Sequence, residues 1–460
     1  MKRIVALLML AVLLVSMLGA CGSKPEQKPV AEFTEPETGF DTETPVTITF
    51  YHSMGAALQE ILNTAIADFN KIYPNITVVH KTYGDYDGVR DQIKTEIPVG
   101  NQPNIAYCYP DHVALYNVAG AVQTLDSLID GQYGFSAEEK ADFIPAYYNE
   151  GTAFGDGKMY TLPISKSTEV LYYNRTFFEK NNLTVPTTWD EMEAVCRQIK
   201  QIDPSCIPLG YDSEANWFIT MCEQYGSEYT STEGDKFLFD NDTNKAFVKK
   251  FQSWYKEKLI TTQELSGGYT SDLFKGSDGK TRCYMCIGST GGATYQQPNQ
   301  TNGVFEFEVG ITTIPQIDAA NPKVISQGPS ICIFKKQNAQ EVLASWLFAK
   351  FLTTDVVFQA SVSMNNGYAP VIQSVQQNEI YAEFLQSADT ANIQAYAVKV
   401  ALEQANAYYV SPAFNGSSVA RDQVGLLMQK CLASEDADID KAIDKAFADA
   451  VAECKYQSGM

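Results

Sequence analysis

An alternation of strand and helix near the start of the chain constrains the fold more than any other feature. The β-branched runs Val46–Phe50 and Ile76–Val79 are typical of strands. Between them, apolar residues recur at the spacing of one helix face over Ala56–Ile72, and Pro74 ends that segment. A strand, a helix and a strand within about thirty residues predict a βαβ unit, whose two strands lie parallel in one sheet.

The same alternation continues toward the C-terminus. A helix is predicted over Tyr86–Glu96, and a strand over Asn104–Tyr109. The 460 residues are enough for two lobes of roughly 150–200 residues each. We therefore predict an α/β protein throughout. Later strands are predicted at Tyr160–Pro163, at Val170–Tyr173 and within Arg282–Cys332, and later helices at Gln340–Leu352 and Ala437–Cys454.

The composition excludes several classes of function. The chain has 34 basic and 55 acidic side chains, which give a formal charge of −21. An acidic surface repels phosphate backbones, and no Lys/Arg run concentrates positive charge, so we expect no nucleic-acid binding. The histidines His52, His80 and His112 show neither metal-ligand spacing nor a nearby nucleophile motif. We therefore expect no metal, no cofactor and no catalytic triad.

The first 21 residues have the pattern of an export signal. Lys2 and Arg3 precede the apolar run Ile4–Leu18, which is too short to span a membrane comfortably. The sequence Leu18-Gly19-Ala20-Cys21 resembles the lipobox of bacterial lipoproteins. That resemblance implies removal of residues 1–20 and lipidation of Cys21. The alternative is an ordinary signal peptide with an incidental cysteine.

Residues 21–45 predict a tether. They are rich in proline and acidic side chains and poor in apolar ones, so they bury too little surface to offset their ordering entropy. We expect this segment to be disordered. The globular body would then be held at a membrane through the lipid anchor only.

Nine cysteines follow Cys21, and an odd number cannot all pair with one another. Several lie in apolar runs, as Cys332 does in Ile331–Phe334, where a thiol acts as a small hydrophobe. Cys283 and Cys286 have the spacing of half a metal site, but no second pair matches it. Buried thiols are the favoured interpretation. One or two disulfides and a metal site stay open as alternatives.

A set of short motifs recurs in order along the body. They are Gly100–Ile105, Leu162–Ile164, Ser167–Asn174, Pro186–Glu191, Gly288–Gly292 and Asn366–Pro370. Each motif is weak alone, but their order and spacing together are specific. With the lipobox and the opening strand, they make the chain similar to the extracellular solute-binding proteins of ABC importers. More narrowly, it resembles the family that binds sugars, oligosaccharides and glycerol 3-phosphate.

The resemblance implies a type II periplasmic-binding-protein fold, in which hinge strands join two α/β lobes and the ligand lies in the cleft between them. It also implies a sugar or polyol ligand, a monomeric protein, and an ABC permease that docks on the cleft-side rims of both lobes. The first lobe is expected at 46–165 and 325–365, and the second at 166–324 and 366–460. The crossings are expected at Ser165–Thr168, Pro315–Val324 and Asn365–Tyr368.

The resemblance also places ten residues at the ligand. Aromatic faces suit the C–H surface of a sugar, and carboxylates accept hydrogen bonds from its hydroxyls. Alternatives stay open for Asp111 as a helix N-cap, for Tyr86 as a surface residue and for Trp217 as a core residue. The ten residues are Tyr86, Tyr109, Asp111, Ser167, Thr168, Trp217, Ser289, Gly328, Tyr368 and Arg421.

One departure from the family pattern bears on the charge of the ligand. Glycerol-phosphate binders of the family carry an arginine just after a glycine near the C-terminus. Here Gly416 is followed by two serines, and Arg421 lies further on. An anion beside Asp111 needs a compensating cation. The sequence therefore favours a neutral sugar, with glycerol 3-phosphate or a glycerophosphodiester as the alternative.

A secreted glycoside hydrolase is a third, weaker hypothesis. Such an enzyme needs two carboxylates at a fixed separation across a cleft. No motif in the chain places such a pair. We therefore expect a binding protein without enzymatic activity.

Overall fold

The computed structural model describes residues 30–276 and 283–460. The predicted signal peptide at 1–20 and the predicted lipidation site at Cys21 lie outside the described residues, as does Arg282. No helix within the described ranges is long and apolar enough to cross a membrane.

Strands and helices alternate throughout the described residues. The strands are β1 (Val46–His52), β2 (Ile76–Thr82), β3 (Ile105–Cys108), β4 (Leu162–Pro163), β5 (Ser167–Asn174), β6 (Leu209–Tyr211), β7 (Ile260–Thr262), β8 (Met285–Ser289), β9 (Gln300–Thr301), β10 (Val304–Phe305), β11 (Val309–Thr313), β12 (Val324–Gln327), β13 (Ser330–Ile333) and β14 (Tyr408–Tyr409). The α-helices are α1 (Ala56–Ile72), α2 (Tyr86–Glu96), α3 (Pro110–Asn117), α4 (Asp126–Ile129), α5 (Ala137–Asp142), α6 (Pro145–Asn149), α7 (Arg175–Lys180), α8 (Trp189–Ile202), α9 (Glu214–Tyr225), α10 (Asp242–Lys256), α11 (Gln263–Ser266), α12 (Thr270–Lys275), α13 (Ala339–Thr354), α14 (Val356–Asn366), α15 (Glu379–Gln386), α16 (Ile393–Glu403), α17 (Ser417–Ala433) and α18 (Ile439–Ser458).

The opening βαβ unit forms as its pattern predicts. β1 and β2 pair in parallel along their whole length, from Val46 opposite Ile76 to His52 opposite Thr82. The connecting helix α1 buries Leu62, Ala65 and Phe69 on one face. Leu58, Ile61 and Ile66 are partly buried against the same core, so the helix covers one side of the sheet.

Two mixed sheets organise the molecule. The first has the strand order β2-β1-β3-β13-β4. The second has the order β14-β12-β5-β8-β6-β7, and β11 also pairs with β5. We call the part of the chain around each sheet the first lobe and the second lobe. The predicted α/β class and the two-lobed architecture are confirmed.

Each lobe has its own hydrophobic core. In the first lobe, Phe50 lies 5.4 Å from Tyr107 and 6.2 Å from Phe348 between ring centroids. In the second lobe, Trp189 and Trp217 are fully buried in an aromatic cluster with Phe251. A further apolar cluster joins the lobes, because Tyr147, beside β4, stacks on Tyr408 of β14 with ring centroids 5.4 Å apart.

The chain passes between the two sheets at short connections. One runs from β4 to β5 through Ser165 and Lys166. A second runs from β12 to β13 through Gly328 and Pro329, rather than through Pro315–Val324 as predicted. The physical reason is pairing, because the end of β12 is held antiparallel to the start of β5, in the second sheet.

Residues 30–45 differ from the predicted disordered tether. Phe40 is buried in the first-lobe core, and Phe33 packs against the same core. The Glu32 carboxylate accepts from Lys335 Nζ at 2.7 Å, and the Asp41 backbone N–H donates to Gln340. The two phenylalanines bury enough apolar surface to hold the segment on the first lobe, although the segment as a whole is poor in apolar residues. Residues 21–29 lie outside the described residues.

The nine cysteines after Cys21 are all buried and unpaired. Burial raises the pKa of several of these thiols, Cys196 and Cys286 among them, so they stay protonated at neutral pH. No group of three or more candidate ligands that could hold a metal ion occurs in the described ranges.

Candidate functional site

A cleft between the lobes is lined by residues from both of them. The first lobe contributes the N-terminal turns of α2 and α3. The second lobe contributes β12, the loop after β14 and the first turn of α17. The cavity has a volume of about 360 Å³, within the range of about 300–1,000 Å³ typical of small-molecule sites.

Three tyrosines meet at one side of the cleft. Tyr86 is the first residue of α2, and its ring centroid lies 4.8 Å from that of Tyr109. The Tyr86 and Tyr368 hydroxyl oxygens are 3.4 Å apart. Burial raises the pKa of Tyr86 and of Tyr368, so both phenols are neutral and can donate or accept a hydrogen bond.

The start of α2 fixes the position of Tyr86. The Asp85 side chain caps the helix by accepting from the Gly88 backbone N–H at 2.7 Å. An aspartate at this position satisfies one of the free amides of the first turn. The cap therefore sets where the chain enters α2 and presents Tyr86 to the cleft.

The start of α3 brings a carboxylate and an imidazole to the cleft. Tyr109 is the N-cap residue and Pro110 the first helical residue, so Asp111 is not the N-cap. Asp111 accepts from the His112 backbone N–H at 3.0 Å and lines the cleft. His112 is 5% exposed, and its Nδ1 has no protein partner in the described chain. Burial lowers the pKa of His112, which keeps the imidazole neutral.

The cleft is acidic. Arg90 on α2 is paired within its own helix, to Asp87 at 2.8 Å and to Asp91 at 3.0 Å. Asp422 on α17 lines the opposite side. Burial raises the pKa of Asp422, while the charge of Arg90 opposes that shift. The full set of charged lining residues is Asp85, Asp87, Asp111, Glu150 and Asp422 against Arg90 and Arg421.

Helix α17 supplies the remaining cation. Gly416 precedes it with a φ of 109°, a conformation that suits glycine. Ser417 and Ser418 open the helix and line the cleft. Arg421 follows one turn later, and its guanidinium donates to the Asn216 side-chain oxygen. The serines therefore occupy the two positions just after the glycine.

Part of the predicted ligand set comes together in the cleft. Tyr86, Tyr109, Asp111 and Arg421 all line it. Tyr368 reaches the same place through its contact with Tyr86. Their contact with a ligand stays a prediction.

Three further predicted residues lie at the connections between the sheets. Gly328 joins β12 to β13, and a Cβ built on it would lie 2.6 Å from the Ser165 carbonyl oxygen. Ser167 and Thr168 are buried at the start of β5, opposite β12. The Thr168 hydroxyl donates to the Ile325 carbonyl at 2.8 Å. Among the described residues, neither Ser167 nor Thr168 belongs to the lining of the cleft.

Two predicted residues lie away from the cleft. Trp217 is 0% exposed and packs on Tyr211, with ring centroids 5.1 Å apart, so it is a core residue and not a stacking surface. Ser289 ends β8 and caps the following turn by accepting from the Gly291 backbone N–H at 3.1 Å. Helix α9 is buried on every side from Asn216 to Cys222, so its local pattern does not distinguish a core position from a cleft position.

Several lining residues escaped the sequence analysis. Tyr229 is 7% exposed, and its hydroxyl has no protein partner in the described ranges. It lies in an irregular segment far from any motif, so no local pattern marks it. Arg90 lies one turn after Tyr86 on α2, and that spacing could have identified it. The other missed lining residues are Asp85, Asp87, Pro110, Glu150, Ile219, Ile325, Ser326, Gln327, Val410, Ser411, Pro412, Ser417, Ser418 and Asp422.

The sequence matches a known family over most of its length. Residues 64–395 match the bacterial extracellular solute-binding protein family. The chain belongs to this family. Its members are solute-binding proteins rather than enzymes, and by that description they act outside the cytoplasm.

Curated relatives of this solute-binding protein are distant. An uncharacterized ABC transporter extracellular-binding protein of Pyrococcus horikoshii is 23% identical over 289 residues, which are 59% of this chain and 61% of that protein. The chain therefore spans less than two thirds of that relative. The sn-glycerol-3-phosphate-binding periplasmic protein UgpB of Agrobacterium fabrum is 24% identical over 339 residues, 70% of this chain and 74% of that protein.

Solved structures share the fold. UgpB of Mycobacterium tuberculosis, in complex with glycerophosphocholine, has a TM-score of 0.72 at 16% identity and covers 90% of this chain and 99% of that one. The cyclic alpha-maltosyl-1,6-maltose binding protein of Arthrobacter globiformis has a TM-score of 0.70 at 18% identity and covers 90% and 100%. At these identities the likeness establishes the two-lobed fold alone.

Proposed function

We propose that this solute-binding protein serves an ABC importer by capturing a sugar or oligosaccharide in the interlobe cleft and delivering it to a membrane permease. The observation that carries the proposal is the composition of the cleft. The paired rings of Tyr86 and Tyr109 offer an aromatic surface beside the carboxylate of Asp111. Aromatic faces and acceptor carboxylates are the groups that bind the two surfaces of a sugar.

The charge of the cleft supports a neutral ligand. Carboxyl groups outnumber guanidinium groups among the lining residues. Arg90 is already paired with Asp87, whose negative charge offsets the attraction of the guanidinium for an anion. A sugar needs no counter-charge, and its hydroxyls can donate to the acidic side chains of the lining. The sugar-binding structural neighbour from Arthrobacter globiformis agrees with this choice.

A glycerol 3-phosphate or glycerophosphodiester ligand is the second candidate. Two observations favour it: Arg421 lies in the cleft, and Ser417 and Ser418 present the N-terminal turn of the 17-residue helix α17 to it. Helix N-termini and arginine both suit a phosphate group. The names of the Agrobacterium fabrum and Mycobacterium tuberculosis relatives point the same way.

Thermal unfolding of the purified protein against a ligand panel tests the proposal. The panel contains glucose, maltose, maltotriose, glycerol 3-phosphate and glycerophosphocholine. A ligand at 100 times its Kd stabilises the folded state by about 2.7 kcal/mol, which raises Tm by a few degrees. Neutral saccharides are expected to raise Tm. A rise with the phosphorylated compounds alone establishes the second candidate, and no rise with any compound rejects both.

Variants show whether the cleft is responsible. Tyr109→Ala and Asp111→Ala are expected to abolish the ligand-induced rise in Tm. Tyr456→Ala is the matched control, because Tyr456 is 82% exposed on α18 and contributes nothing to the cleft lining. A ligand-induced rise that survives in Tyr109→Ala and Asp111→Ala would place the ligand elsewhere.

The proposal includes anchoring of the protein by a lipid on Cys21. The lipobox-like sequence Leu18–Cys21 after an apolar segment supports it. Cell fractionation and mass spectrometry of the mature N-terminus test it. The wild-type protein is expected in the membrane fraction with an acylated Cys21, and Cys21→Ser is expected to abolish acylation. An unmodified N-terminus in wild type would reject the anchor.

A further inference from the structure

The side chain of Asn216 joins two cleft residues to a buried carboxyl group. Asn216 lies in the first turn of α9 and is 3% exposed. Its Oδ1 accepts from the guanidinium of Arg421 and from Gln327 Nε2 at 3.1 Å. Its Nδ2 donates to Glu169 Oε1 at 2.9 Å. Arg421 and Gln327 both line the cleft, whereas Glu169 lies beneath it in β5.

The orientation of this amide is set by chemistry. Arginine carries donors only, so the oxygen of the Asn216 amide must face Arg421. The nitrogen of the amide must then face Glu169, which has to accept. Asn216 thus holds Arg421 in place only while the Glu169 oxygen that faces it carries no proton.

Glu169 is placed to change its charge near neutral pH. It is 1% exposed, and its Oε2 accepts from the Tyr211 hydroxyl at 2.6 Å. Burial raises the pKa of Glu169 to about 7, against the hydrogen bonds of Tyr211 and Asn216 and the charge of Arg421. The ionisable groups that face it are Tyr211 at the end of β6, Asp212 just after that strand, Tyr409 on β14 and Arg421 on α17.

We propose that Asn216 is a positioning residue of the ligand site, which orients Arg421 and Gln327 and passes the charge state of Glu169 to them. This inference rests on the proposed function, because it assigns the cleft its ligand-binding role. With Glu169 ionised, the carboxylate fixes the amide and the guanidinium. With Glu169 protonated on the Oε2 that faces Tyr211, its Oε1 still accepts from Asn216, but the amide loses its charged acceptor and Arg421 loses a compensating charge.

The first test is the pH profile of ligand affinity, measured by calorimetry with the saccharide that raises Tm most. Affinity in the wild type is expected to fall at least threefold from pH 8 to pH 6. Glu169→Gln keeps an oxygen toward Asn216 and a donor toward Tyr211, so it should bind with a flatter profile. Asp422 and His112 are further ionisable groups of the cleft, and the readout is therefore the difference between variant and wild type.

Glu223→Gln is the matched control. Glu223 is on the same helix as Asn216, and burial also raises its pKa, but it lies outside the cleft lining and makes no bond to Asn216. It should keep the wild-type profile. Identical profiles in wild type and Glu169→Gln would overturn the inference, as would a profile flattened equally by Glu223→Gln.

The second test needs no ligand, so it separates failure of this inference from failure of the proposed function. Arg421→Met is expected to lower Tm more at pH 8 than at pH 6. That pH dependence should disappear in an Asn216→Ala background, or in Glu169→Gln if Asn216→Ala does not fold. An equal decrease in every background and at both pH values would reject the coupling, whatever the ligand panel gives.

Discussion

Lys166 Nζ lies 2.6 Å from Glu150 Oε1, and both side chains are buried where the two sheets are joined. The same ammonium donates to the Gly328 carbonyl at 3.2 Å and to Ser330 Oγ at 3.0 Å. The Lys166 backbone exchanges two hydrogen bonds with Ala369, of 3.0 and 2.6 Å. One residue therefore ties together the β4–β5 connection, the β12–β13 connection and the segment after α14.

Removing that ammonium should destabilise the protein strongly. Lys166→Met leaves the buried Glu150 without its partner, and breaking a buried ion pair costs about 3–5 kcal/mol. Urea unfolding followed by circular dichroism measures the change. The double variant Lys166→Met/Glu150→Leu should recover most of the loss, because no uncompensated charge is left. A double variant as unstable as Lys166→Met would show that packing, not charge, dominates.

Gly328 should tolerate no side chain. Its φ is +90°, and an added Cβ would lie 2.6 Å from the Ser165 carbonyl oxygen and 2.9 Å from Lys166 Cα. Gly157 is the matched control, with a φ of +73° and no atom within 4 Å of an added Cβ. We expect Gly157→Ala to cost about 1 kcal/mol through its φ alone. Gly328→Ala should cost about 1–3 kcal/mol more, from the clash. Equal losses in unfolding experiments would contradict this assignment.

Stability should fall in mild acid because of His52. Its Nδ1 accepts from the Met54 backbone N–H at 3.1 Å, so its Nε2 carries the proton and donates to His80 Nδ1 at 2.9 Å. Burial, helped by His80, lowers the pKa of His52 to about 4. The neutral form of His52 makes its full contribution to the free energy of unfolding above the unfolded pKa of about 6.5. This contribution is lost progressively as pH falls to 4, by about 3 kcal/mol in the limit.

Unfolding free energies from pH 7.5 to 4.5 test this prediction. His52→Gln keeps an acceptor and a donor but cannot titrate, so its curve should be flatter than the wild-type curve over this range. Burial lowers the pKa of His112 as well. The same curve for His112→Gln therefore shows how much of the wild-type pH dependence comes from His112 rather than from His52. Parallel curves for wild type and His52→Gln would remove His52 as the source.

Substitutions at Tyr109 and at Trp217 should affect different properties, ligand binding in the first case and stability in the second. Tyr109 lines the cleft, and Tyr109→Ala is expected to weaken ligand affinity about tenfold or more, with a small change in Tm. Trp217 is fully buried, so Trp217→Ala should cost about 3–5 kcal/mol of stability. Its folded fraction should bind normally. Calorimetry and thermal unfolding of the two variants measure both quantities, and a binding-deficient but stable Trp217→Ala would contradict the core assignment.

The sequence predicted what is local and periodic. The βαβ opening follows from the spacing of β-branched and apolar residues, and the structure confirms it at β1, α1 and β2. The cleft residues Tyr86 and Tyr109 were predicted from the family resemblance, and the structure places Tyr86 at the first position of α2 and Tyr109 at the N-cap of α3.

The rest depends on contacts between distant parts of the chain. Trp217 has the same local pattern whether it faces a core or a cleft, and only its packing on Tyr211 and Phe251 decides. Tyr229 reaches the cleft from an irregular segment, where no period indicates direction. Residues 30–45 pack because Phe33 and Phe40 find a core far along the chain. The average composition of a segment does not reveal one or two apolar residues that pack on a distant core.

The nine buried cysteines can report local opening of the structure through the labelling of their thiols. A thiol reagent in the solvent reaches them only after the structure around them opens. Cys108 and Cys332 lie on neighbouring strands of the first sheet, and Cys431 and Cys454 lie on the last two helices of the second lobe. The order in which these sulfurs become labelled therefore measures, without any added probe, which lobe opens first.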